Sequence, residues 1–192
     1  MATTKTTAKM VRLGNPILRE VCRELAPAEI KSDEIKKLIR DLKIMVAGNN
    51  QGVGISANQL GFGLRISVIA IKSTLARPNE KRFDAVLINP QIAETFGRKI
   101  GVWEGCLSAG TGDGIIFGRV PRFKKVRVKY LDESGVSREI ILTGLPAHVI
   151  QHEIDHLNGE FFLDKAARKS LMMADEYRAR VVGTAKGNYY DK

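Results

Sequence analysis

Lys125-Val-Arg-Val-Lys-Tyr-Leu131 alternates charged and apolar residues, and after Asp132-Glu-Ser-Gly135 the chain returns through Val136–Leu142. Alternation at period two predicts a strand with one face on a core and one face in water. Two such runs around a short Asp- and Gly-bearing turn predict a hairpin. Directly after it, Thr143-Gly144-Leu145-Pro146 opens a helix that runs to about Asn158, with Gly159 as its stop. Strands that pair with their sequence neighbours and are seldom joined through helices exclude a doubly wound α/β fold. The fold class expected is α+β, with mostly antiparallel strands packed around this helix.

Upstream, Ile66–Ile71 and Ala85–Asn89 are short β-branched runs, the second stopped by Pro90. Ile30, Ile35, Leu38, Ile39, Leu42, Met45 and Val46 recur at three- and four-residue steps. They predict one amphipathic helix over 27–47, closed by Gly48-Asn49-Asn50. Asn15-Pro16-Ile17-Leu18-Arg19 predicts a turn into a short helix, and Lys165–Val182 a final charged helix. The domain reading is an N-terminal tail over 1–9, one catalytic unit over 10–165, and a basic C-terminal helix and tail over 166–192.

The 192 residues are 44% hydrophobic and 27% charged, which excludes a disordered or collagen-like chain. No apolar run approaches eighteen residues, so no membrane helix is expected. Two cysteines, Cys22 and Cys106, cannot build a disulfide framework, and a reducing compartment fits best. The net charge is +10. Phe117–Tyr130 holds six Lys/Arg and no acid, and Lys165–Lys192 seven Lys/Arg against three acids. Such charge favours an anionic neighbour without itself reading nucleic acid.

The three histidines of the chain, His148, His152 and His156, lie four residues apart and stack on one helix face. In His152-Glu153-Ile154-Asp155-His156, two imidazoles one turn apart can grip one metal ion, and the Glu between them can act as a base. Ile150, Ile154 and Leu157 make this a helix of the buried type, where polar side chains need partners. A third ligand must come from elsewhere. A histidine six residues after His156 is excluded, because Phe162 stands there. Glu176, twenty residues after His156, and Cys106, in Trp103-Glu104-Gly105-Cys106-Leu107-Ser108, both remain.

Three segments together resemble the peptide deformylase family: Gly52-Val-Gly-Ile-Ser-Ala-Asn-Gln59, Glu104-Gly-Cys-Leu-Ser108 and Gln151-His-Glu-Ile-Asp-His-Leu157. Their order and spacing fit, as does Gly14-Asn-Pro-Ile-Leu-Arg19, and the resemblance covers about 10–165. It implies the family's fold, with the histidine-bearing helix as a central metal-binding helix. It implies a hydrolase that removes the N-formyl group from the N-terminal methionine of newly made polypeptides. Cys106, His152 and His156 would hold one divalent metal ion per chain, iron(II) in the cell, with zinc, nickel or cobalt accepted. Glu153 would take a proton from metal-bound water and pass it to the leaving amine. The Gln59 amide and the Leu107 N–H would stabilise the oxyanion. Val53, Gly54, Gly105, Leu145, His148 and Val149 would line the substrate site, and a Glu104–Arg122 pair would hold the Cys106 loop. The implied partners are N-formylmethionyl nascent peptides and, through the basic C-terminal region, the ribosome. No membrane partner is expected. The implied location is the cytoplasm of a bacterial-type cell rather than an organellar matrix.

Three departures stand out. Ser56-Ala57 replaces a pair of alanines. Ala109–Gly118 is longer and glycine-rich, has no Arg before Arg119, and reads as a mobile loop over the site. His148 stands where an apolar wall of the methionine pocket is usual, and is read as part of that wall rather than as a ligand. The rival readings are a deformylase-like hydrolase for another N-acyl group, a zinc endopeptidase using Glu176, and a basic RNA-binding module with a vestigial site.

Overall fold

The side chain of Asn15 accepts the Ile17 N–H, and Pro16 starts a single 3-10 turn over Pro16–Arg19. The computed structural model describes residues 8–49, 52–74 and 80–182. Most of the expected 1–9 tail, Asn50 and the last ten residues of the basic region lie outside that description. The periodicity of 27–47 is split into α1, Pro27–Ile30, and α2, Asp33–Ala47. The cause is local. Ser32 is extended and its hydroxyl accepts the Ile35 N–H, so it caps a new helix instead of continuing the old one. α2 buries Ile35, Leu38, Ile39, Leu42 and Val46 in one core with Ile55, Ile66 and Val68. Those partners come from β1, Gly54–Ser56, and β2, Ile66–Ile71.

Pro90 does not stop its strand. β3 runs unbroken over Phe83–Gly105. The register with the next strand slips between Ile88 and Gln91, and the proline sits in that irregularity, where no ladder N–H is needed. Asn89 takes a φ of 51° there, and its N–H donates to the Arg65 carbonyl instead. β4, Ile116–Leu131, and β5, Ser137–Thr143, form the hairpin expected from the alternation, with Lys125 opposite Thr143 and Leu131 opposite Ser137. The strand order is β1-β2-β3-β4-β5, each neighbour antiparallel, with β1 at an edge.

α3, Leu145–Leu157, packs against all five of these strands. All of it except Pro146 and His152 is buried. Its end is fixed by Gly159 at a φ of 73°, where a Cβ would lie 2.5 Å from the Arg19 carbonyl oxygen. Only glycine lets the helix stop so close to the N-terminal turn.

The single charged helix expected over Lys165–Val182 is not formed. In its place come α4, Phe162–Lys165, a 3-10 turn over Arg168–Ser170, β6, Met172–Met173, and α5, Ala174–Arg180. Tertiary pairing overrides helix propensity here. Met172 and Met173 pair with Phe117 and Ile116 of β4, and Tyr177 stacks on Phe117 with ring centroids 4.1 Å apart. Among the described residues no helix is long and apolar enough to cross a membrane.

Candidate active site

α3 carries His152 and His156 one turn apart, and the end of β3 delivers Cys106 to them. One ligand atom from each of the three lies within 4.8 Å of the others. Cys106 Sγ is 3.2 Å from His156 Nε2. His152 Nδ1 lies 2.9 Å from Glu104 Oε2, which leaves Nε2 as its ligating nitrogen. Burial pushes the His156 imidazole well below its ordinary pKa, keeping it in the neutral, ligating form. His152 goes the other way. Burial opposes its charge, but hydrogen bonds to Cys106 and Glu104 outweigh that and raise it. A thiol and two imidazoles with ligand atoms this close together fit a divalent metal ion. The donor group includes neither of the other sequence candidates. Glu176 is on α5, half exposed and paired with Arg180. His148 lines the adjoining cavity.

Behind the ligands runs a chain of ion pairs, buried at Glu104, Arg122 and Asp155 and reaching the surface at Lys165 and Glu160. Arg122 Nε and Nη2 donate to Glu104 at 2.6 and 3.0 Å, and Nη1 donates to Asp155 at 2.5 Å. Lys165 Nζ continues it, donating to Asp155 and Glu160 at 2.5 Å each. Burial raises the Glu104 carboxyl, but Arg122 and His152 overcome this and pull it down to about 2. The Glu104–Arg122 pair was expected. Asp155 and Lys165 were missed, although an acid on a helix otherwise too apolar to leave it unpaired is a usable signal.

Glu153 is 3% exposed, and its Oε2 accepts from the Ser56 hydroxyl at 2.6 Å. Burial raises its carboxyl above the ordinary range, against the opposing pull of His152 and Ser56. Ser56 is the residue noted in the sequence only as a departure, and here it orients that carboxylate. A Cβ on Gly54 would lie 2.5 Å from Glu153 Oε1 and 2.8 Å from Val149 Cγ1. Position 54 thus admits no side chain without displacing the carboxylate.

Gln59 Oε1 accepts the Ser56 N–H at 2.9 Å. Its Nε2 must then face the other way, and it donates to Cys106 Sγ at 3.4 Å and Ser108 Oγ at 3.1 Å. The Cys106 carbonyl accepts the Ala109 N–H at 2.9 Å. Because a peptide unit is planar and trans, the Leu107 N–H points the opposite way from that carbonyl.

Val53, Gly54, Gly105, Leu145, His148 and Val149 all line one cavity together with Gln59, Cys106, Leu107, His152 and Glu153. Gly52 and Glu104 also line it, together with Val102, Trp103, Ile115 and Phe117, which were not singled out from the sequence. The apolar triplet Ile115-Ile116-Phe117 inside a glycine-rich stretch was the signal for the last two. That stretch is shaped by 3-10 turns over Leu107–Ala109 and Gly112–Gly114, and Arg178 of α5 pairs with Asp113.

Burial lowers the His148 imidazole to about 4, so the cavity wall is polar but neutral. Two depressed values predict how stability responds to acid. Below its ordinary value of 6.5 an unfolded His148 binds a proton that the folded one refuses, and stability falls from there down to about pH 4. An unfolded Glu104 protonates below 4.5 while the folded one stays ionised to about 2, so stability falls further over that window. Urea midpoints measured against pH are expected to drop over both ranges. In His148→Leu the fall between pH 6.5 and 4 should shrink; an unchanged fall there would contradict the assignment.

A family model described as polypeptide deformylase matches residues 7–171. A peptide deformylase of Leptospira biflexa is 33% identical over 175 residues, covering 88% of this chain and 92% of its own. Peptide deformylase 1A, chloroplastic/mitochondrial, of Arabidopsis thaliana is 35% identical over 177 residues, covering 87% of this chain and 64% of its own. Among solved structures, the Met-Ala-Ser-bound class I type b peptide deformylase of Acinetobacter baumannii superimposes with a TM-score of 0.77. It is 30% identical, with 83% of this chain and 98% of that one covered.

Proposed function

Given that the chain belongs to the peptide deformylase family, we propose that Cys106, His152 and His156 hold its metal and that Glu153 moves the protons of its reaction. The chain is a metal-dependent hydrolase that removes the N-formyl group from the N-terminal methionine of newly made polypeptides. The observation that carries the residue assignment is the convergence of three donors within 4.8 Å in a cavity that the buried Glu153 also lines.

A divalent ion held by Cys106, His152 and His156 would supply Lewis acidity to the formyl group and to a water. Glu153, held by Ser56, takes a proton from the attacking water and returns it to the departing amine. The Gln59 amide and the Leu107 N–H receive the negative charge that develops on the formyl oxygen; each such donor is worth about 3 kcal/mol. β1 is an edge strand, and the Val53 carbonyl is taken by the Ala70 N–H of β2. Backbone groups alternate along a strand, so those of Gly54 face the free edge, where an extended peptide can pair. The methionine side chain lies among Leu145, Val149, His148 and Gly105.

One thiol and two imidazoles accept iron(II), zinc, nickel or cobalt; iron(II) is taken as the cellular ion on the family resemblance. The bacterial relatives support a cytoplasmic location. Arg168, Lys169, Arg178 and Arg180 support docking of the C-terminal region on the ribosome, an RNA-rich partner. Formate release from formyl-Met-Ala-Ser by anaerobically purified, iron-loaded protein tests the reading. Release from the formyl peptide, with acetyl-Met-Ala-Ser left intact, is expected. The reverse preference would move the function to another N-acyl group.

A further inference from the structure

Three consecutive residues near the N-terminus bond to both arms of the oxyanion site. The Val11 N–H donates to the Gln59 carbonyl at 2.8 Å, and the Leu13 N–H donates to the Ser108 carbonyl at 2.8 Å. Between them, Arg12 Nη1 donates to the Leu107 carbonyl at 2.6 Å and to the Gly110 carbonyl at 2.8 Å. The two arms come from distant parts of the chain, Gln59 after β1 and Leu107 after β3. They meet through the Gln59 Nε2 to Ser108 Oγ bond at 3.1 Å.

The second arm is intrinsically compliant. Gly110, Gly112 and Gly114 follow Leu107 within seven residues, and glycine leaves a backbone free to move. Gly110 is also packed so closely that a Cβ would lie 2.2 Å from the Gly114 carbonyl oxygen. A segment that must be glycine at 110 to fit, and whose three glycines restrain it little, gains a defined position from outside tethers. Arg12 supplies two of them from one nitrogen, at the residue that carries the N–H donor and at the first of the three glycines.

We infer that the segment Val11–Leu13 is a brace that sets the spacing of the Gln59 amide and the Leu107 N–H, and that Arg12 is its positioning residue. Arg12 touches neither substrate nor metal ligand in this role. It acts through the Leu107 and Gly110 carbonyls. The inference rests on the deformylase reading, because the spacing matters only if both donors meet a developing oxyanion.

The consequence falls on kcat rather than on KM. The charge that the two donors stabilise exists in the transition state and not in the bound substrate. Misplacing one donor by an ångström costs up to about a hundredfold. Arg12→Ala and Arg12→Lys are compared with the native protein, with rates expressed per metal-loaded chain. In Arg12→Ala, kcat for formate release from formyl-Met-Ala-Ser is expected to fall about ten- to a hundredfold while KM changes little. Lysine, which keeps the charge and can reach at least one carbonyl, is expected to restore much of it. Amide hydrogen exchange supplies a readout independent of turnover: exchange over 107–110 should accelerate in Arg12→Ala and not in Arg12→Lys.

A brace that is merely structural gives a different pattern, namely lower melting temperature or metal content with an unchanged kcat per loaded chain. That result overturns the inference. If Arg12→Ala does not fold, Arg12→Gln takes its place and the same graded order of kcat is required. Glu153→Gln is run alongside. If it is inactive while Arg12→Ala retains the native kcat, the brace fails and the deformylase reading stands. If the native protein itself releases no formate, the deformylase reading fails; a Glu153→Gln variant with native kcat would remove only the proton-transfer role of Glu153.

Discussion

Glu153→Gln is expected to lower kcat for formate release by about 10²–10⁴-fold while leaving metal content and melting temperature close to native. The glutamine keeps the volume of the carboxylate and can still accept from the Ser56 hydroxyl, which now bonds Oε2 at 2.6 Å. It cannot take a proton from water. Burial raises the native carboxyl, so it takes up a proton more readily than an exposed glutamate does. The amide removes that capacity and little else. The check is steady-state kinetics alongside metal analysis of the same preparation. A loss of activity matched by an equal loss of metal would reassign Glu153 to holding the site together. A variant within tenfold of native would take the proton transfer away from this residue.

The second large effect is on the metal itself. Cys106→Ala is expected to bring bound metal well below one ion per chain and to abolish formate release with it. Three donors converge within 4.8 Å, and the substitution deletes the sulfur that lies 3.2 Å from His156 Nε2. Two imidazoles four residues apart on one helix remain, which is too few for a structural grip on one ion. The arrangement with Glu176 as third ligand predicts the opposite result, full metal content in the same variant. Elemental analysis after dialysis separates the two. Retained metal would return the third ligand to question, in spite of the pairing of Glu176 with Arg180 on α5.

What could be read from the sequence was what the chain settles locally. The hairpin of β4 and β5 is set by alternation and a four-residue turn, and α3 by its flanking glycines and its apolar spacing. Both appear where the pattern put them, except that β4 begins at Ile116, within the stretch read as a loop. Pro90 misled because a proline is a strand stop only where a ladder N–H is required, and a register slip removed that requirement. The last helix misled because β4 offered Met172 and Met173 an unpaired edge, which composition does not reveal. Within the site, the two histidines were legible from their spacing. Cys106 became legible only from the order of three separated segments. Ser56 was not, since its hydroxyl meets Glu153 across 97 positions of sequence and nothing near either residue announces the other. Arg12 was hidden for the same reason: its partners are carbonyls, and carbonyls carry no sequence signature.

Tyr177 ties the C-terminal segment to the cavity. Its ring stacks on Phe117 at 4.1 Å and leans on Trp103 at 5.6 Å, and both of those rings line the substrate cavity from the other side. The pocket therefore has a two-ply wall whose outer ply belongs to α5. A substitution at Tyr177 is expected to alter the cavity wall as well as the seating of α5, through the Phe117 and Trp103 rings.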